Sequence, residues 1–359
     1  MNKYLYFIAI LVTTLFVASC TSDKKDHILS DLFPVKKDIQ GEVFQLPEGV
    51  QLNMPSQLVV LDSILIISDQ FLIEDDRYIF LLYDFHTDSY SIFGRLGRGP
   101  NEFYTPVHLS RIPNEPGRFG VFDRRLFTYS EISIDSLLAK SNYFTEKRYM
   151  DFDSYFSRLI KIDDTHFVGT GMFPEGRYNA SDQHGEIIAS GGVYPFEDEH
   201  PYPYRVKGMA YQALIASHPK ESWFVSATHS SANYEILKYD ENGFAYINKT
   251  HLYPAVFENA STENSLRIIN DPDNIEGFKN IDTTQEYIYL LYSGKKYKED
   301  QYWYGNKVFV IDWEGEPVIQ FNLNQDVTKI TVDANNELLY AATSRENGDS
   351  EILIYTLDF

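Results

Sequence analysis

The segment GRLGRGPNEF, residues 94–103, has the glycines and cations of a loop that could hold phosphate. A nucleotide-binding phosphate loop needs Lys followed by Ser or Thr after its last glycine, and this segment has neither. A dinucleotide-binding loop needs a third glycine three residues after Gly99, but that position is Glu102, whose carboxylate would repel a pyrophosphate. The segment therefore does not predict a phosphate site, and its role depends on the strands around it.

Other patterns in the sequence that could do chemistry are weak. The histidines are scattered and never form His-x-His or His-Glu-x-x-His, which argues against a zinc enzyme. SGKK at 293–296 matches Ser-x-x-Lys, but that chemistry needs the serine at a helix start, whereas this serine ends an apolar, strand-like run. Carboxylates are numerous and lie mostly in turn-like segments, so no pair stands out as the acid and base of a glycosidase. No catalytic residue is therefore predicted.

The first twenty residues predict export followed by lipidation. One lysine precedes an apolar run from Tyr4 to Val17, and the small residues of VASC lead to Cys20, the only cysteine. This pattern is typical of a signal peptide, residues 1–19, that is removed to leave an N-terminal cysteine for acylation. Residues 20–38 are then expected to be the lipidated cysteine and a flexible tether. The sequence predicts a lipid-anchored protein of the cell envelope, on the outer membrane, with the periplasmic or surface side left open.

The charge of the chain limits its partners. The formal net charge is −21, and the densest basic cluster, SGKKYK, is followed by acidic residues. An acidic surface repels nucleic acid and anionic lipid, so no nucleic-acid partner is expected. The membrane is expected as a partner only through the lipid on Cys20.

Short apolar strands recur along the rest of the chain, roughly fifty to sixty residues apart, which is a spacing typical of propeller blades. Each is preceded by another short strand, and several are followed by a hairpin with Asp, Asn or Gly at its tip, as in DENG and DWEGE. Two hairpins per unit and six units predict an all-β fold, a six-bladed β-propeller over residues 39–359, with a pair of β-sandwiches as the alternative. The six strands are at 65–70, 119–123, 167–171, 223–228, 287–294 and 338–344.

The two ends of the predicted propeller complement each other. The last unit ends in SEILIYTLDF, a third strand whose edge would be left open. The strand-like segment EVFQL, residues 42–46, precedes the first unit and has no hairpin of its own. We therefore expect this N-terminal strand to complete the last blade and close the ring, with Phe44 or Leu46 buried against the neighbouring blade.

Three segments resemble a known family. They are GRGPNEF at 97–103, YIYLLYSGK at 287–295, and GNKVFVIDWEGEPV at 305–318 followed by NNELLYAAT. These segments are similar to the TolB-like six-bladed propeller lipoproteins of Gram-negative bacteria. The resemblance implies a fold and an envelope address, and it supplies no catalytic residues.

One face of such a propeller is expected to carry the binding surface. The links between blades and the loops between second and third strands share this face, and long loops on a rigid ring are where ligands usually bind. GRLGRGPNEF is expected to be such a link, with Gly97 and Gly99 allowing its tight path. Aromatic and arginine side chains in these segments suit sugar rings and extended peptides. The candidate ligand-binding residues are Arg98, Asn101, Glu102, Arg205, Tyr292, Lys295, Trp303 and Tyr304.

The sequence favours a non-enzymatic binding or scaffold module, with a glycan, a peptide or an envelope protein as its partner. No cofactor is predicted for such a module. The alternative is an enzyme, because some six-bladed propellers hold calcium in the channel and hydrolyse lactones. A calcium-dependent hydrolase or lactonase with an acidic channel site therefore stays open.

Overall fold

A computed structural model describes residues 28–73, 75–150, 155–199, 201–344 and 348–359. The predicted signal peptide and the acylation site at Cys20 lie outside these residues. Most regular structure is β-strand, with a helical turn at 28–31 and two short helices, α1 (Ile134–Leu138) and α2 (Tyr204–Ala210). None of the helices in the described ranges is long and apolar enough to cross a membrane.

The strands form the six blades of a propeller. Two N-terminal strands come first, β1 (Lys36–Ile39) and β2 (Gly41–Phe44). Blade one consists of β3 (Gln57–Leu61), β4 (Ile64–Ile73), β5 (Asp76–Asp84) and β6 (Ser89–Arg95). Blade two consists of β7 (Pro106–Arg111), β8 (Arg118–Asp123), β9 (Thr128–Ser133) and β10 (Phe144–Tyr149). Blade three consists of β11 (Phe156–Lys161), β12 (Phe167–Gly171), β13 (Tyr178–Ser181) and β14 (Ile187–Gly191).

The second half of the ring follows the same order. Blade four consists of β15 (Ala213–Ser217), β16 (Trp223–Thr228), β17 (Asn233–Asp240) and β18 (Gly243–His251). Blade five consists of β21 (Phe278–Thr283), β22 (Tyr287–Tyr292), β23 (Gly305–Asp312) and β24 (Pro317–Val327). Blade six has β25 (Lys329–Val332), β26 (Leu338–Ser344) and β27 (Ser350–Thr356) from this end of the chain. A separate hairpin, β19 (Phe257–Asn259) and β20 (Ile268–Asn270), lies between blades four and five, where the sequence did not predict one.

The first strand of each blade lines the centre of the ring. These inner strands, β3, β7, β11, β15, β21 and β25, contact each other in succession, and β25 contacts β3. Apolar side chains fill the space between neighbouring blades, as where Val225 and Ile236 of blade four pack with Leu290 and Phe309 of blade five. The predicted six-bladed propeller is therefore confirmed, and the alternative of two β-sandwiches is wrong.

The N-terminal strand closes the ring as predicted. Strand β2 pairs antiparallel with β27, and Phe44 lies opposite Ile352. The Phe44 side chain is half-buried, and its ring centroid lies 5.0 Å from that of Tyr83 in blade one. Blade six thus gains its fourth strand from the start of the chain, and Phe44 joins that blade to blade one.

The predicted tether reaches too far into the folded part of the chain. Strand β1 runs parallel to β24 and gives blade five a fifth strand. Leu29 and Phe33 are each only 1% exposed and pack in the core between blades four and five. The packed part of the chain therefore begins before residue 38, in a segment whose polar composition resembles a tether.

Aspartates fix the hairpins that the sequence predicted. Asp312 begins the turn between β23 and β24, where its Oδ1 accepts hydrogen bonds from the backbone N–H groups of Glu314 and Glu316. Asp123 does the same between β8 and β9. Such side-chain acceptors satisfy the turn's backbone donors locally. Blade two was poorly marked in the sequence because α1 interrupts its outer hairpin.

Candidate functional site

The centre of the ring contains a cavity of about 260 Å³. We define the upper face as the side on which the inner strands begin and the links between blades run. All six inner strands line this cavity, and most of them contribute residues from near the start of the strand. The polar and charged lining residues towards the upper face are Gln57, His108, Arg158, Asn280 and Lys329.

Two cations in this cavity have no acidic partner. Arg158 lies on β11 and Lys329 begins β25. In the part of the chain that the structure describes, no carboxylate forms a salt bridge with either side chain, and the Arg158 guanidinium donates only to the carbonyl of Ser157, at 2.9 Å. Burial lowers the pKa of Arg158 to about 10, with the charge of Arg124 adding to the effect. Burial and the charges of Arg158 and Lys279 lower the pKa of Lys329 to about 8.

The nearby histidines are neutral at physiological pH. Burial lowers the pKa of His108 to about 3, and its Nδ1 lies 3.0 Å from the carbonyl of Leu159. Burial also lowers the pKa of His229 well below its usual value, and the charges of Lys279, Arg158 and Lys329 lower it further. These rings therefore add no charge, and the excess charge of the upper channel is positive.

Lys279 is a third cation beside the cavity, but it is paired. Its Nζ lies 2.6 Å from Glu276 Oε2 and donates to the carbonyl of His229 at 3.2 Å. Burial lowers the pKa of Lys279, while Glu276 opposes that shift. The two side chains together are close to neutral, so the net positive charge comes from Arg158 and Lys329.

A polar cluster forms the floor of the cavity. Arg111 pairs with Asp282 and donates to the carbonyls of Val60 and Val332, at 2.9 Å each. Asp282 Oδ2 accepts from the Thr331 hydroxyl at 2.8 Å and from the Val332 N–H at 2.7 Å. Arg111 also lines a second cavity of about 390 Å³ on the lower side. The cluster therefore separates the two cavities, and the upper one is blind.

The sequence did not nominate Arg158, Lys279 or Lys329. Three inner strands shift register at a corresponding place, between Pro106 and His108, between Phe156 and Arg158, and between Phe278 and Asn280. Bulges of this kind change the direction of the side chains that follow. The available signal was a cation in the first positions of an otherwise apolar strand, as in FSRLIK and KITV.

An aromatic cluster lies on the upper face. It belongs to the loop 293–304 between β22 and β23, which we call the aromatic loop. The ring centroids of Tyr297 and Tyr302 are 4.6 Å apart, and those of Tyr302 and Trp303 are 5.0 Å apart. Lys279 Nζ lies 5.9 Å from the Tyr302 ring centroid, which places the loop beside this paired cation. Trp303 is 49% exposed and so offers an aromatic face to solvent.

The aromatic loop contains some of the predicted residues, but not all of them are accessible. Trp303 is exposed, and Lys295 is half-buried and pairs with Asp326 at 2.5 Å. Tyr292 is 0% exposed and its hydroxyl lies 2.8 Å from that of Tyr253, so its prediction as a ligand contact is corrected to a core role. Tyr304 is also buried, which corrects its prediction in the same way.

The link 94–103 has a structural explanation. Glu102 Oε2 accepts from the N–H of Gly99 at 2.7 Å, and a Cβ atom at Gly97 would lie 1.9 Å from that same oxygen. The glycines therefore make room for a carboxylate that folds back on its own loop. Glu102 thus has a structural role within the link, and its role as a ligand contact stays a prediction.

The remaining predicted residues lie on separate links. Arg98 places its guanidinium 4.3 Å from the Tyr104 ring centroid, and Asn101 is exposed on the same link. Arg205 is on α2, in the link between blades three and four. Topology therefore places all three on the upper face, while Lys295, Trp303 and the buried Tyr304 share the aromatic loop. Whether any of them binds a ligand stays a prediction.

Known proteins support the same architecture. The chain matches the family described as TolB-like 6-blade propeller-like over residues 33–335, and it belongs to that family. Among solved structures, it is similar to a protein of Bacteroides fragilis named as an exported protein, with 11% identity, a TM-score of 0.53, and coverage of 90% of this chain and 99% of that one. It is also similar to U3-55K, with 10% identity, a TM-score of 0.49, and coverage of 88% and 98%. At 11% identity, the similarity to the Bacteroides fragilis protein shows the fold alone. No curated protein matches the sequence.

Proposed function

We propose that this protein is a non-enzymatic binding module of the cell envelope whose partner contacts the upper face at the mouth of the blind channel. The observation that carries the proposal is the aromatic loop of the upper face, where Trp303 is half-exposed and Tyr302 lies near Lys279. A pocket with a closed floor, a few polar groups and an aromatic rim is the usual form of a binding site. Its position on a closed ring holds these groups in fixed geometry.

The chemistry of the mouth favours a glycan or an extended peptide as the partner. Tyr302 and Trp303 present flat faces that can stack on a sugar ring or pack against a peptide backbone. Tyrosine, tryptophan and arginine are the residues that contribute most to binding energy at protein interfaces. The same loop therefore supports either a ligand or a scaffold role.

The positive charge of the upper channel argues against the calcium-dependent alternative. Calcium needs several oxygen ligands, including carboxylates. The carboxylates nearest the cavity, Asp282 and Glu276, are each paired with a cation. Arg158 and Lys329 would repel Ca²⁺ from the remaining wall. A calcium-dependent hydrolase is accordingly the less favoured function.

An envelope address is part of the proposal. The family match and the similarity to a protein named as exported are consistent with it. Acylation of Cys20 would fix the propeller on the outer membrane. Cys20→Ala should then leave the chain unacylated, and the variant should move from the detergent phase to the aqueous phase on partitioning.

The binding role is tested with Trp303→Ala. The full-length acylated protein in detergent is presented to envelope glycan fragments on an array and cross-linked to envelope proteins in cells. The variant should lose about tenfold or more in affinity for the captured partner, as expected when a central aromatic contact is removed. Tyr90→Ala, at an exposed position on the outer strand of blade one, is the matched control and should bind normally. Equal binding by the wild type and Trp303→Ala would refute the proposed surface.

A further inference from the structure

We infer that the upper channel is an anion-binding site in which Arg158 and Lys329 hold a carboxylate, sulfate or phosphate group. The inference deepens the proposed function, on which it rests, because it names the charge of the group that enters the cavity. An anion site is not expected from a net charge of −21, which makes the local excess of positive charge informative.

Pairing distinguishes these two cations from others in the fold. Lys161 and Arg177 are almost fully buried and have carboxylate partners, Glu131 at 2.8 Å and Glu235 at 2.9 Å, whereas Arg158 and Lys329 are half-buried. Burying a charge is costly unless it is paired and hydrogen-bonded. Arg158 and Lys329 share one cavity without such a partner in the described chain. The missing counter-charge is what a bound anion would supply.

Two neutral amide side chains also line the cavity. Gln57 uses its side-chain oxygen to accept from the Leu109 N–H, and Asn280 uses its oxygen to accept from the Ile330 N–H at 2.8 Å. These bonds orient both amides, so that their NH₂ groups are the ends left to act as donors. Two cations and two amide donors around one cavity, from the inner strands of four blades, suit an acceptor-only group.

The size of the cavity limits what can enter it. The cavity of about 260 Å³ has the Arg111–Asp282 pair at its floor. It can receive a small anion or the acidic group of one sugar unit, while the rest of a longer ligand lies across the upper face. A free anion and an acidic sugar share the same recognised chemistry, and the experiment must tell them apart.

The test uses calorimetric titration of the full-length protein in detergent at low chloride. The probes are sodium sulfate, sodium D-glucuronate and, as a neutral control, D-glucose. Arg158→Gln and Lys329→Gln should each weaken binding at least tenfold. Arg267→Gln, an exposed arginine outside the ring centre, is the matched control and should change nothing. Tighter binding of glucuronate than sulfate supports an acidic sugar, and the reverse supports a free anion.

Two results would overturn the inference. One is a wild-type protein that binds neither anion, and the other is undiminished binding by the Arg158→Gln/Lys329→Gln double variant. The melting temperature without anion distinguishes a loss of binding from misfolding, because the double variant should melt no lower than the wild type. Trp303→Ala should keep its sulfate affinity, so that a failed binding surface and a failed anion site give different patterns.

Discussion

Charged side chains are paired in one region of the molecule and lack an acidic partner in another. Between blades three and four, Arg177 pairs with Glu235 at 2.9 Å, and Glu235 also receives hydrogen bonds from Tyr178 and, at 2.6 Å, from His251. Burial would raise the pKa of Glu235, but Arg177 and the two hydrogen bonds hold it below the usual value. In the upper channel, Arg158 and Lys329 have no such partner in the described chain. The difference indicates that the first cluster holds blades together and that the second is arranged for a ligand.

The strongest test of this contrast removes the carboxylate from the paired cluster. Glu235→Gln leaves Arg177 buried beside a neutral amide, and breaking a buried ion pair in this way costs about 3–5 kcal/mol. Denaturant unfolding should show a loss of that size. Glu241→Gln, at an exposed turn of the same blade, should have almost no effect. A loss below about 1 kcal/mol would mean that the pair does not stabilise the blade contact.

The ring that carries both regions depends on its closing strand. Phe44→Ala should lower the free energy of unfolding by about 2 kcal/mol, less than for a fully buried phenylalanine, because the side chain is half-buried between blades six and one. Val43→Ala, on the exposed side of the same strand, should cost much less. Equal effects of the two variants in denaturant unfolding would show that Phe44 does not join the blades.

The unpaired cluster should respond in the opposite direction. Replacing both cations, in Arg158→Gln/Lys329→Gln, removes two like charges that line one cavity, so the free energy of unfolding without anion should rise by about 1 kcal/mol. Sulfate should stabilise the wild type more than the double variant, in which only its general salt effect remains. A double variant that is clearly less stable than the wild type would assign these cations a structural role.

A pH dependence from Lys329 is also expected. The cationic groups that face it are Arg158 and Lys279, the latter paired with Glu276, while His229 nearby is neutral. Its pKa is about 8 in the folded chain, against 10.5 without the fold. Between these values the unfolded chain binds more protons, so the contribution of Lys329 to the free energy of unfolding rises with pH.

Unfolding at pH 7.5 and pH 9.5 isolates this contribution when the wild type is compared with Lys329→Gln. The wild type should gain stability relative to the variant at the higher pH. Sulfate should reduce that gain, because a bound anion raises the pKa of Lys329. A difference between the two proteins that does not change with pH would argue against a desolvated Lys329.

The sequence predicted the fold better than the site. Recurring hairpins with Asp, Asn and Gly at their tips are local signals, and they were enough to predict six blades. The closing strand was found because two open edges, at EVFQL and SEILIYTLDF, complement each other. Strand β1 was missed because KKDI has the polar composition of a tether.

The site was harder to predict because it depends on register. Arg158 and Lys329 are far apart in the sequence, and only ring closure and the bulges of the inner strands bring them to one cavity. Tyr292 was misassigned because a continuous apolar run such as YIYLLY does not show which of its side chains are buried. The structural role of Glu102 was missed because its partner, the N–H of Gly99, is a backbone group.

The central claim is that the unpaired cations of the upper channel bind an anion, and locating such an anion tests it most directly. Crystals of the protein soaked in sodium selenate would reveal the anion by its anomalous scattering. The account predicts a peak inside the cavity, within hydrogen-bond distance of Arg158 and Lys329, that disappears in the double variant. Selenate found only at the outer surface, with an unoccupied channel, would contradict it.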